Sequence, residues 1–268
     1  MSESFMLFLG TGGGRYVTYR QARATGGIYV SMDGARFVID PGPGSLAHLR
    51  KLRLKDPSGI LLSHYHLDHS NDANALLDGM KNPFLLAEEH CISGDENNYP
   101  CIGKYHQAKV SFLMPMKAGD RAEIPETSIV VKATESRHTA PGIGFVIEGS
   151  AKIGYTSDTV YFDGIGKPFE GCDFLLMNVL VPSRKVPLEN KHMGIDQAIS
   201  MIDCMKEKPG MIVLQHFSFW MLQNSVSLQA KLLEKATGVK TIAAKDFQKI
   251  DMAKGSGNGQ GLGRFTKR

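Results

Sequence analysis

The chain contains no run of about 18 consecutive apolar residues, so no membrane-spanning helix is expected. It has no CxxC pair among Cys91, Cys101, Cys172 and Cys204, which argues against a structural zinc ribbon. A disulfide framework is not expected at a length of 268 residues either; reduced, mostly buried thiols are. The start, Met1-Ser2-Glu3-Ser4-Phe5, lacks a basic segment followed by a long apolar one and does not read as a secretion signal, so the expected location is cytoplasmic. No Pro/Ser-rich linker and no repeat of fixed period divides the chain, and residues 1–254 read as one domain. A strong excess of one charge is also missing: 31 Lys+Arg stand against 27 Asp+Glu, a net +4 that does not argue for nucleic acid by itself. That excess has a location. Residues 252–268 carry Lys254, Arg264, Lys267 and Arg268 and no acid, which leaves 27 basic and 27 acidic side chains in the rest. Residues 255–268, with glycine at every second position from Gly255 to Gly263, read as a flexible basic tail. A neutral body makes a broad basic face for a large structured RNA less expected than a small or short substrate. Homodimerisation stays open.

What is present is ordinary globular material. Hydrophobic residues make up 42% and charged residues 22%, enough apolar surface to build a core and to exclude disorder as the main state. Strands are expected at residues 5–9, 28–30 and 36–39, the last two joined by a turn at Asp33-Gly34. Residues 45–51 suggest a short helix with Ser45 as N-cap. A buried strand at 59–63 is followed by a helix over 71–80 and a strand at 84–87. Residues 88–118, with Gly94, Pro100, Gly103 and Pro115, read as loops around short helices. Strands resume at 121–124, 129–133, 144–148 and 152–156, and a buried run covers 174–181. Helical spacing over 196–205 is followed by a strand at 211–214, a helix at 227–237 and a strand at 241–244.

Histidine carries the chemistry. Three of nine crowd into His64-Tyr65-His66-Leu67-Asp68-His69, which offers four metal-ligand side chains in six residues just past a buried strand. Neutral imidazole and carboxylate suit zinc, manganese or iron. His138, Asp158 and His216 each follow a later apolar run, where strand ends can bring side chains together. A single such residue carries little weight; the first cluster with three followers in order is a strong signal.

The HxHxDH cluster, the isolated His138, the triplet Ser157-Asp158-Thr159 and the segment Gln215-His216-Phe217-Ser218 resemble the metallo-β-lactamase superfamily. The resemblance runs over residues 5 to about 220. It implies a four-layer αββα sandwich of the α/β class with the metal site at one edge. It further implies two divalent transition-metal ions, zinc first and manganese or iron as alternatives. His64, His66 and His138 would hold one ion, Asp68, His69 and His216 the other, and Asp158 would bridge them. Asp40, in Ile39-Asp40-Pro41-Gly42, resembles the family's aspartate that supports the ligand loop. The implied reaction is hydrolysis by a bridging hydroxide, with Asp68 also able to orient the attacking group.

Within the superfamily, Phe8-Leu9-Gly10-Thr11-Gly12-Gly13-Gly14 resembles the start of RNase Z-like phosphodiesterases, although a plain glycine-rich turn explains it too. His192, 24 residues before His216, is similar in placement to the histidine that assists the leaving group in those enzymes. Two departures count against a tRNA-processing enzyme. Val179, in the segment Met177-Asn178-Val179-Leu180, cannot supply the supporting glutamate of the RNase Z His-Glu-Ala-Thr motif, and 20 residues from His138 to Asp158 leave no room for a tRNA-gripping arm. The expected activity is therefore cleavage of a small or short phosphodiester. Hydrolysis of a lactone, thioester or other carboxylic ester is the alternative. His90 and His106 read as pocket or surface residues, and Trp220 as a prop under the metal edge or a wall of the pocket.

Overall fold

A computed structural model describes residues 3–183 and 192–252; the expected tail at 255–268 lies outside the described residues. Strands β1 (Phe5–Phe8), β2 (Ile28–Met32), β3 (Ala35–Ile39), β4 (Gly59–Leu62), β5 (Phe84–Glu88) and β6 (Phe112–Met116) form one sheet, which β14 (Lys249–Asp251) extends beside β1. The strands β7 (Arg121–Glu123), β8 (Val130–Glu135), β9 (Ile143–Glu148), β10 (Lys152–Tyr155), β11 (Phe174–Asn178), β12 (Met211–Gln215) and β13 (Thr241–Ala243) form the second. Both sheets begin as antiparallel hairpins and become parallel: β3 to β6 in the first, β10 to β13 in the second.

The side-chain alternation explains the stacking. In β12, Met211 and Val213 face the other sheet, while Ile212 and Leu214 face outward under helices. In β4, Leu61 points between the sheets and Ile60 and Leu62 point the other way. Strands covered on both faces read as unbroken apolar runs, which is why these segments stood out in the sequence. Phe8, Phe37, Phe145 and Tyr155 fill the space between the sheets. Helices α1 (Arg15–Arg20), α2 (Ser45–Lys51), α3 (Leu67–Ser70), α4 (Ala73–Gly79), α5 (Glu89–Ser93) and α6 (Lys104–Gln107) belong to the first half. Helices α7 (Ile195–Asp203), α8 (Phe219–Gln223) and α9 (Val226–Thr237) belong to the second. Leu49, Leu76 and Leu77 cover the outer face of the first sheet; Ile202, Met221 and Leu233 cover that of the second. The result is the four-layer αββα sandwich. No helix among the described residues is long and apolar enough to cross a membrane.

Several local expectations change. Ser45 is the first residue of α2, not its cap; Gly44 holds that position, and Asp72 Oδ2 accepts from the Gly44 and Leu46 amides at 3.0 Å each. The helix expected over 71–80 is α4; a separate short helix, α3, which was not expected, precedes it, and the break between them falls where Asp72 turns to serve α2. Residues 88–118 contain a strand, β6, as well as helices. Pro115 hid it, and Pro is tolerated because β6 is an edge strand. The short helices α1 and α8 and the closing strand β14 were not expected. Of the thiols, Cys91 and Cys172 are buried, Cys101 is half-buried and Cys204 is exposed, so burial is less general than expected; all four are free.

Candidate metal centre

Every predicted metal-ligand residue follows the end of a strand on one edge of the sandwich. His64 and His66 follow β4, with Asp68 and His69 on α3; His138 follows β8, Asp158 follows β10 and His216 follows β12. Asp40 (φ 49°), Ser157 (φ 56°) and His216 (φ 60°) all have left-handed backbone, uncommon for residues with a Cβ and concentrated where chains turn sharply into a site.

The ligand atoms converge. His66 Nδ1 lies 3.2 Å from His64 Nε2 and 3.2 Å from His138 Nε2. His216 Nε2 lies 3.6 Å from Asp68 Oδ2 and 3.4 Å from Asp158 Oδ1. His69 Nε2 is 3.6 Å from Asp158 Oδ2, and His192 Nδ1 is 3.5 Å from that same oxygen. His64, His66 and His138 thus form one group able to hold an ion, and Asp68, His69 and His216 another, each with its donor atoms within 4.8 Å of one another. Asp158 lies between them. The spacing suits metal rather than hydrogen bonding. Two ligands about 2.0–2.1 Å from a tetrahedral ion sit roughly 3.3–3.5 Å apart, close to the separations here. His69 Nε2 and His216 Nε2 are buried and make no hydrogen bond, a costly state that a bound cation relieves.

A buried polar layer holds the ligands from behind. Asp40 Oδ1 accepts from the Ser63 amide at 2.7 Å; its Oδ2 meets Ser63 Oγ at 2.6 Å, Tyr155 Oη at 2.6 Å and His69 Nδ1 at 2.9 Å. Ser63 Oγ also lies 3.0 Å from His64 Nδ1, and Ser157 Oγ donates to it at 2.8 Å. Asn178 Nδ2 donates to Asp158 Oδ1 at 2.7 Å, and Gln215 Nε2 donates to Asn178 Oδ1. These partners fix which ring nitrogen faces the cavity. Asp40 was legible in the sequence. Ser63, Tyr155, Asn178 and Gln215 were not; their only signal is that each is polar, or carries a hydroxyl, at the end of a buried strand.

The glycine-rich segment is a working part of the site. Gly14 N donates to Asp68 Oδ2 at 2.9 Å, and Gly13 N and Phe217 N tie this segment to the one carrying His216. A Cβ at Gly13 would overlap the His216 ring, and one at Gly42 would overlap the Asp68 backbone.

Electrostatics separates the histidines. Burial, reinforced by nearby His69, holds His64 well below the usual imidazole range, so it stays neutral and ready to ligate. Burial pulls His69 the same way, but Asp158 and Asp40 outweigh it and hold His69 well above that range. Burial would raise Asp158, yet His216 and His69 keep it well below the carboxylate range. Burial lowers His192. Asp158 is thus held ionised among the histidines, the form in which a carboxylate ligates a cation.

An open cavity of about 840 Å³ lies over these atoms, with His66, Asp68, His138, Asp158 and His192 in its wall alongside Arg15, Tyr19 and Trp220. Trp220 is thus a wall residue. His90 lines no described cavity and instead meets Glu88 Oε1 at 2.6 Å; His106 lines none either.

The comparisons agree with this geometry. The sequence matches the family described as the Beta-lactamase superfamily domain over residues 35–217. It is 31% identical over 260 residues to the uncharacterized protein MJ1374 of Methanocaldococcus jannaschii, covering 93% of this chain and 96% of that one. Two shorter matches are hydroxyacylglutathione hydrolase of Hahella chejuensis, 28% identical over 59% of this chain and 55% of the relative, and ribonuclease Z of Methanosarcina acetivorans, 24% identical over 52% and 47%. This chain spans about half the length of those two. The fold is shared with the metallo-β-lactamase fold protein YhfI of Bacillus subtilis, with a TM-score of 0.72 and 18% identity over 92% of this chain and 99% of that one. The chain belongs to the β-lactamase superfamily of metal-dependent hydrolases.

Proposed function

We propose that the protein is a phosphodiesterase that acts on a small or short substrate with two divalent transition-metal ions. The carrying observation is His192. It comes from a separate segment before α7, reaches 3.5 Å from Asp158 and lies in the cavity wall. Phosphodiester cleavage expels an alkoxide, which needs a proton donor beside the site. Bound ions would acidify water and polarise the phosphoryl group. Asp158 fixes the two ligand groups relative to each other, and Asp68 orients the attacking group from its anchor on Gly14; burial favours neutral His192, so it takes up the proton given up by the attacking water and passes it to the departing oxygen.

A small substrate is supported by the stretch between His138 and Asp158, which β9 and β10 fill. Four free thiols fit a reducing, cytoplasmic compartment. Ligand type favours zinc, with manganese and iron sharing the same donors.

The deciding assay presents bis(p-nitrophenyl) phosphate, a cyclic nucleotide, an acyl lactone and a thioester side by side to metal-loaded protein. Diester cleavage is expected to dominate, and His192→Ala to slow it by about 10²–10⁴-fold. A rate within about twofold of the unaltered protein removes His192 from proton transfer. Faster turnover of the thioester or lactone instead supports the carboxylic-ester reading, which the likeness to hydroxyacylglutathione hydrolase favours.

A further inference from the structure

Helix α1 is short, has the sequence RYVTYR and buries only Val17. Tyr16 is 66% exposed and Tyr19 88%. Across from them, α8 brings up Phe219 and Trp220, the latter 51% exposed. Between α1 and α8 lies a second cavity of about 370 Å³, lined by Arg15, Tyr16, Arg20, Phe219 and Trp220. It shares Gly14, Arg15 and Trp220 with the cavity over the metal centre, so the two adjoin.

Exposing this many rings in one place is costly in water unless something covers them. The charge says what kind of thing. Residues 15–25 contain three arginines and no acid, and α8 contains no acid. Arg23 is spent on the fold: it donates to Thr11 Oγ1 and Ala244 O and lies over the Phe217 ring. Arg15 and Arg20 have no such role among the described residues. Aromatic faces beside guanidinium groups recognise a planar ring that carries an anion, by stacking and by charge-assisted hydrogen bonds.

We propose that α1 and α8 form a side pocket for a planar aromatic ring bearing a second anionic group, one that flanks the bond cleaved at the metal centre. A nucleotide and an aryl phosphate share this chemistry. The inference rests on the phosphodiesterase reading for what is cleaved, but its own test needs no turnover. The 268 residues contain one tryptophan, Trp220, so its emission reports on this pocket.

The experiment titrates metal-loaded protein with adenosine 5'-monophosphate, phenyl phosphate, adenosine and ribose 5-phosphate while following tryptophan emission. Saturable quenching is expected with the ring-bearing phosphates. Adenosine and ribose 5-phosphate should bind at least about tenfold more weakly, since each lacks one half of the recognition. Tighter binding of the nucleotide than of phenyl phosphate identifies a nucleoside source; the reverse order identifies an aryl one. Arg20→Ala, an exposed change outside the metal cavity, should weaken ring-phosphate binding about tenfold. Absent quenching, equal binding of ribose 5-phosphate, or an Arg20→Ala variant that binds unchanged overturns the proposal. If quenching holds while no diester is cleaved, the pocket stands and the phosphodiesterase reading falls.

Discussion

Asn178 Nδ2 donates to Asp158 Oδ1 at 2.7 Å, and the Asn178 carboxamide cannot flip away because its own oxygen accepts from Gln215 Nε2. Three neighbouring strands thereby set the orientation of one carboxylate: β11 supplies Asn178, β12 supplies Gln215, and β10 leads into Asp158. Asp158 faces His216 with Oδ1 and His69 with Oδ2, so its rotation decides how both ligand groups are spaced.

Asn178→Asp should therefore damage the centre more than a surface change of the same size. It sets a second buried carboxylate within hydrogen-bond distance of Asp158, where two like charges cannot both persist and one must take a proton. Asn178→Ala removes the donor without adding charge. Metal affinity should fall about 10–100-fold in both variants, the range for losing a group that orients a ligand. Competition against a chelating dye measures it, and unchanged affinity in both would show that Asp158 is held by its metal partners alone.

Gly13→Ala tests the glycine-rich segment. The added Cβ overlaps the His216 ring, which is itself clamped by backbone bonds on both sides, so the ring must leave its position. The expected result is loss of about one of two bound metal equivalents with the fold intact. Gly79→Ala, where a Cβ meets open space, is the control. Equal metal content in both variants would mean that the segment yields instead of the ring.

The strand ends explain how much of this could be read in advance. His64, His66, Asp68, His69, His138, Asp158 and His216 are ligand types that follow apolar runs, and such runs are legible because both faces of the strands are covered. What was illegible depends on contact across the sandwich. Tyr155 looks like one more core residue until its hydroxyl is seen against Asp40, 115 positions earlier. Helix α1 could not be expected from RYVTYR, because a single buried residue leaves almost no periodicity and its place is set by Gly14 and the cavity beside it. The α3–α4 break has the same origin: Asp72 caps a helix that starts nearly 30 residues before it.

Stripping the metal should leave a folded but weaker protein. The three apolar clusters do not involve the ligands, so the sandwich persists, whereas Asp68 and Asp158 lose the cations that balance them. An ion held at about 100 times its Kd stabilises by roughly 2.7 kcal/mol, which moves the midpoint of a domain this size by about 5–10 °C. Thermal scans before and after chelation, with elemental analysis, check this. Up to two equivalents of transition metal are expected in the starting protein, and His64→Ala and Asp158→Ala should each bind less. Unaltered metal content in both variants would sink the metal assignment.

Thiol labelling probes the outer layer independently of the metal. The thiolate is the reactive form, so both access and acidity matter. Cys204 is exposed and should react first with an aromatic disulfide reagent. Cys172 is buried beneath η1 (Lys167–Phe169) and β11, and burial pushes its thiol up to about 12. At pH 9 only about one such thiol in a thousand is ionised, so raising the pH from 7 to 9 should leave Cys172 unmodified in the native protein. Burial, aided by the neighbouring Cys101, holds the Cys91 thiol well above its ordinary value and predicts the same resistance. Urea should release both at once. Modification of Cys172 as fast as Cys204 under native conditions would mean that the helical layer over the second sheet opens readily, which the fully buried Leu175 and Met177 of β11 and Ile202 of α7 argue against.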